Sequence, residues 1–107
     1  MQRVGFLLKV REHRIDEYKE HHRHVSPEML DALSRHGWHN YSLFMRHDGL
    51  MFGYVEVSDN FQASLDGMST EDANSRWQAL MEPFFESPGE GRPDENMVQL
   101  EEVFHLE

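Results

Sequence analysis

The stretch Leu50-Met51-Phe52-Gly53-Tyr54-Val55-Glu56-Val57 constrains the fold more than any other. It is rich in β-branched and aromatic residues and follows His47-Asp48-Gly49, an Asp-Gly hairpin turn. In a strand, Leu50, Phe52 and Tyr54 share one face, and Met51, Val55 and Val57 share the other. Trp38 to Arg46, ahead of the turn, reads as the partner strand. There Tyr41, Leu43 and Met45 alternate with Asn40, Ser42 and Phe44. A sheet apolar on both sides needs cover on both sides. One short chain with two helices on a single face leaves the other bare. The simplest cover is a second copy, so the sequence predicts a face-to-face homodimer.

The other segments complete the order. Arg3 to Val10 is a strand with Val4, Phe6, Leu8 and Val10 on one side. A helix is expected from about His13 to His24, then a break near Val25. Ser26-Pro27 restarts it with Ser as N-cap and Pro at the first helical position, and Gly37 stops it. Asp59 is the expected cap of a short helical turn ending at Gly67. Thr70 is the expected cap of a second main helix, with Ala73, Trp77, Leu80 and Phe84 turned inward. Ser87 to Asp94 is a loop by composition. Asn96 to Leu106 is a last strand, with Val98, Leu100, Glu102, Phe104 and Leu106 on one side. The pattern β-α-β-β-α-β is ferredoxin-like, of the α+β class: an antiparallel sheet with both helices on one face. The expected assembly is a dimeric α/β barrel, and residues 1–107 read as a single domain.

Twenty acidic against ten basic residues give a formal charge of −10, which argues against nucleic acid. No apolar run approaches a membrane span. The N-terminal apolar stretch ends at Lys9 and reads as a strand rather than a signal peptide. There is no cysteine, so disulfides and thiolate zinc sites are excluded. A cytoplasmic address is the expectation.

The residues with chemistry lie on the first helix. Ile15, Tyr18, His22 and Val25 recur at spacings of three and four, so Tyr18 and His22 share the inward face. A phenol beside an inward imidazole can begin a proton-transfer site, although such a His is more often a satisfied core residue. Eight histidines are many for this length, but His21, His22 and His24, or His36 and His39, do not converge on one ion at helical spacing. No metal site is expected.

Several ordered segments carry a resemblance. They are Glu17-Tyr18 with His22; Pro27-Glu28; His36-Gly37 with His39-Asn40-Tyr41; Phe52 with Val55-Glu56; Arg76-Trp77 with Met81; and Leu100, Glu102, Val103 and Phe104. Together they resemble the L-rhamnose mutarotases over nearly the whole chain. The resemblance implies a dimeric ferredoxin-like domain that interconverts the α and β anomers of L-rhamnose, or of a related deoxyhexose, without metal or organic cofactor. It implies that His22 is the catalytic proton donor and that Tyr18 and Tyr41 bind the sugar. Trp77 resembles the first of the family's two adjacent tryptophans; Gln78 stands where the second would be and is a candidate sugar contact. Ser26 likewise stands where the family has a tryptophan, and Ser87 to Gly91 replaces its Asn-Pro-Asp-Asn-Ser-Pro loop. Two alternatives remain on this fold: a non-catalytic dimer binding a sugar or small ligand, and a dimeric monooxygenase. A monooxygenase would want a dry apolar cavity, whereas Tyr, His, Gln and Trp are a sugar-like mixture.

Overall fold

The computed structural model describes residues 1–86 and 96–107. Its strands are β1 (Gln2–Lys9), β2 (Trp38–Met45), β3 (Leu50–Val57) and β4 (Val98–Leu100). Its helices are α1 (Ile15–His22), α2 (Pro27–Arg35), α3 (Phe61–Met68) and α4 (Asp72–Met81). The four strands form an antiparallel sheet in the order β2-β3-β1-β4. This is the ferredoxin-like arrangement, with α3 as an extra short helix before α4. The expected Ser87–Asp94 loop lies outside the described residues.

The hairpin forms where Asp-Gly demanded it. Gly49 takes φ 95, open to glycine at little cost, and a side chain there would strike the Val10 carbonyl. The Asp48 carboxylate accepts from the Leu50 amide at 3.2 Å and closes the turn.

The inner sheet face carries Val4, Phe6, Met51, Val55 and Val57, all fully buried. Phe6 pairs with Gly53 across the strands. A Cβ at Gly53 would fall 2.2 Å from the Phe6 ring, so glycine is what lets that ring lie flat on β3. Met29 and Ala32 of α2, with Phe61 and Met68 of α3, close one half of the core. Tyr18, Met81, Phe84 and Phe85 close the other over Val10 and Met51. The segment just after α4 is tied to the end of β1 and the residues after it by main-chain bonds from Arg11 N to Phe84 O and from Glu86 N to Lys9 O, at 2.7 and 2.9 Å.

Four local details differ from the sequence reading. The cap of α3 is Asn60, not Asp59: its side chain accepts from the Ala63 amide at 2.8 Å. Thr70 does not cap α4, because its hydroxyl turns back to the Gly67 carbonyl at 2.7 Å. The N-cap position is Glu71, whose carboxylate is held by Arg35 and His36 instead. The buried positions of α4 are Asn74, Gln78 and Met81; of the expected stripe, Phe84 is buried and Ala73 and Trp77 are half-buried, while Leu80 is 45% exposed. The hydrophobic pattern misses two of the buried positions because they are polar. Finally, β4 ends at Leu100 rather than Leu106. Residues 101–107 have no ladder, and Val103, Phe104 and Leu106 are exposed. A strand exists only where a partner completes its hydrogen bonds. Beyond Leu100, this chain offers Glu102 the Arg3 guanidinium, 2.7 Å away, but no strand pairing.

Candidate functional site

A cavity of about 320 Å³ opens between the inner sheet face, α2 and α4. Its wall includes His22, Trp38, Tyr41, Asn74, Trp77 and Gln78. Apolar groups fill the rest: Val25, Met29, Leu30, Leu33, Leu43, Leu65, Met68 and Met97. It is drier than the sequence reading expected, with its polar groups gathered on α1, α4 and one strand position.

His22 stands at the C-terminal end of α1, in the phase the stripe predicts. Its Nδ1 lies 2.9 Å from the main-chain carbonyl of Tyr18, one turn earlier. A carbonyl can only accept, so Nδ1 carries the hydrogen and Nε2 holds the lone pair of the neutral ring. The Tyr18 ring packs beneath it at 4.1 Å between centroids, and Trp77 meets it edge-on at 5.0 Å and 80°. Burial pushes the His22 pKa below its ordinary value; the Tyr18 carbonyl opposes this and nearby His21 adds to it. His22 is therefore a held, neutral imidazole at neutral pH. His21, about 100° round the helix, packs edge-on against Phe84 at 5.4 Å and does not line the cavity.

Tyr18 is placed differently from what the resemblance implied. It is 4% exposed, and its hydroxyl reaches Met51 Sδ at 3.3 Å, within the core. It is not part of the cavity wall. Its service to the site is the ring and the carbonyl that hold His22.

Tyr41 does reach the cavity, and a β-bulge brings it there. The β2–β3 register shifts between His39 and Ser42, and Asn40 adopts φ 48. The extra residue turns both Trp38 and Tyr41, three apart, toward the helices. Their rings lie 5.0 Å apart, and Phe6 backs Tyr41 at 6.2 Å. Strict alternation would place Trp38 and Tyr41 on opposite faces. Burial pushes the phenols of Tyr41 and Tyr18 well above the usual range, so neither is a base near neutrality.

Trp77 and Gln78 both line the cavity. Sequence reasoning missed Asn74, 1% exposed and also on the wall. The signal was there: an amide one turn before Gln78. Among the described residues, no group of three or more His, Cys, Asp or Glu could hold a metal ion. Among them, too, no helix is long and apolar enough to cross a membrane.

The L-rhamnose mutarotase family model matches residues 3–106. An L-rhamnose mutarotase of Oceanobacillus iheyensis is 34% identical, with the whole of both chains covered. Those of Bacillus subtilis and Mannheimia succiniciproducens are 32% and 37% identical, again over the whole of both chains. The crystal structure of an L-rhamnose mutarotase from Formosa agariphila superposes with a TM-score of 0.81 over all of both chains, at 24% identity, and so shares the fold. By its sequence over nearly its full length, the chain belongs to the L-rhamnose mutarotase family.

Proposed function

We propose that this chain is a mutarotase for L-rhamnose or a related deoxyhexose, with His22 moving the proton. Family membership supports the reaction, and the His22–Tyr18 hydrogen bond carries the mechanism. Mutarotation opens a cyclic hemiacetal and recloses it on the other face of the carbonyl. Nε2 of His22 takes the proton of the anomeric hydroxyl. The C1–O1 bond becomes a carbonyl, the bond from C1 to the ring oxygen breaks, and the imidazolium returns the proton to that ring oxygen. Rotation about C1–C2 and the same steps in reverse give the other anomer. Both oxygens are bonded to C1, so one nitrogen can serve both. The change is redox-neutral, and its proton balance closes on one imidazole.

The wall suits such a sugar. Trp77 offers a flat apolar surface to C–H groups, and Tyr41 and Gln78 offer hydrogen bonds to hydroxyls. Met29, Leu33, Leu65 and Met68 offer an apolar end for a methyl group. Saturation-transfer NMR on a panel of sugars tests the reading: L-rhamnose should exchange fastest. Exchange no faster than in buffer for every sugar would reject it.

The working unit is proposed to be a homodimer through the outer sheet face. Phe44 and Phe52 stack there at 6.5 Å, and both are exposed, as are Val98 and Leu100 of β4. Soluble monomers rarely leave so continuous an apolar surface bare.

A further inference from the structure

The bulge that turns Tyr41 into the cavity is held from the other side of the sheet. His39 pairs with Glu56 and Ser42 with Tyr54, so Asn40 and Tyr41 together stand opposite Val55. The first of these two residues takes the left-handed backbone, φ 48, as bulges of this kind require. Glycine adopts that conformation most readily, and asparagine is one of the few other residues to which it comes at small cost. The Asn40 side chain adds a second restraint. Its Nδ2 donates to Glu56 Oε2 at 2.8 Å, and the Tyr54 hydroxyl donates to the same oxygen at 3.0 Å. The Asn40 bond, then the Tyr54 bond, holds the Glu56 carboxyl below its usual range. The acceptor is therefore a carboxylate at neutral pH, and bonds to it are stronger than neutral ones. Tyr54 and Glu56 alternate with fully buried Val55 and Val57, which puts this cluster on the outer sheet face. Tyr41, next in the chain to Asn40, lines the cavity on the inner side.

We propose that Asn40 and Glu56 are positioning residues for sugar binding: their hydrogen bond on the outer face locks the bulge and so holds Tyr41 in the cavity. Neither is part of the cavity wall, so both act through Tyr41. Without the bulge, strict alternation would return and Trp38 and Tyr41 would part to opposite faces. A side chain held in place beforehand binds without the cost of ordering it at the moment of binding. Opening the lock should therefore weaken sugar affinity. It should leave the turnover of bound sugar level, because His22 stands on α1, away from the bulge. The inference rests on the mutarotase reading for its ligand and deepens it.

The test reads L-rhamnose binding from tryptophan fluorescence, and KM and kcat from anomer exchange by NMR. The proteins are wild type, Asn40→Val, Glu56→Ala, Glu56→Gln and Tyr41→Phe, with the first two variants also made on Tyr41→Phe. Asn40→Val removes the bond and resists the left-handed backbone; Glu56→Ala removes the bond alone. Each should raise Kd and KM about tenfold, as loss of one neutral hydrogen bond to the sugar allows, with kcat level. Glu56→Gln keeps an acceptor oxygen and should restore most of the affinity. On Tyr41→Phe, neither variant should weaken binding much further, because the hydroxyl that the lock places is already gone. Proton NOEs between the Tyr41 and Trp38 rings, 5.0 Å apart, should weaken in Glu56→Ala. If Asn40→Val does not fold, Asn40→Gly takes its place: it keeps the backbone and loses the bond, so Kd should still rise. A lower melting temperature with unchanged Kd would make the pair merely structural and overturn the proposal. Losses that add in full on Tyr41→Phe would overturn it too, as would Glu56→Gln as weak as Glu56→Ala. Wild type that binds L-rhamnose but does not speed exchange would reject the mutarotase reading, while the coupling in Kd still decides the lock.

Discussion

The Nδ1 of His22 is bound to the main-chain carbonyl of Tyr18, so the nitrogen left for chemistry is Nε2. Burial lowers the pKa of this ring from its usual value, and that gives a pH dependence. A neutral imidazole is needed to take the first proton. Exchange should therefore fall as the solution is acidified below about 6.5, the ordinary histidine value. It should stay level toward alkaline pH, since the Tyr41 phenol is held protonated well above its usual range. Exchange rates between about pH 4 and 9 check this. The stability sign follows. The unfolded chain takes up the His22 proton from about 6.5 downward and the folded chain only at lower pH, so this group weakens the fold as pH falls through that window. An acid limb centred above the ordinary histidine value would contradict the assignment.

Among the described residues the Tyr18 hydroxyl meets a thioether in the core, whereas its ring and carbonyl hold His22. Tyr18→Phe keeps both of the latter. Exchange should drop by less than about tenfold, since sulfur is a weak acceptor and one neutral hydrogen bond is at stake. Tyr18→Ala leaves a cavity under the imidazole and should cost roughly 3–5 kcal/mol of stability, in the range for large aromatic truncations. Urea titration of both variants measures the difference. A hundredfold loss in folded Tyr18→Phe would mean that the hydroxyl works on the sugar after all.

Most of this fold was legible because its strands and first helix obey their periods. Val4, Phe6, Val55 and Val57 alternate into the core as written, and Tyr18 and His22 share the predicted helix face. What escaped the pattern had specific causes. The bulge at Asn40 is an insertion in register, which alternation cannot see, and it is what gives Tyr41 and Trp38 a common face. Hydrophobic periodicity does not reveal the buried positions of α4, because two of them are Asn74 and Gln78 and polarity reads as exposure. Apolar alternation from Val98 to Leu106 overstates the last strand, because its pairing with β1 stops at Leu100. The two departures that touch the cavity, the bulge and the polar stripe, are also where local rules yield to the site.

That unpaired end gives a prediction about assembly. Val103, Phe104 and Leu106 are exposed beyond β4, next to an outer sheet face bearing Phe52 and Leu100. If a second copy covers this surface, sedimentation equilibrium at micromolar concentration should give twice the chain mass. Phe52→Asp puts a charge in the middle of the apolar face, and burying an unpaired charge is prohibitive. This variant should sediment as a folded monomer. Wild type at the single-chain mass would remove the dimer.

The sharpest test compares two neighbouring histidines. His22 lines the cavity, and His21 packs on Phe84 outside it. His22→Ala should lose exchange by on the order of 10²–10⁴, the usual contribution of a positioned acid–base group. His21→Ala removes a ring from Phe84 but no group from the cavity, so its loss should be small. Because His22 is also gripped between Tyr18 and Trp77, its removal costs packing as well as chemistry. Circular dichroism and oligomer mass must therefore accompany each rate. A folded His22→Ala that still exchanges anomers at the wild-type rate would end the assignment. Equal losses in the two variants would instead point to damage at the end of α1, since about 100° of helix rotation separates the two rings.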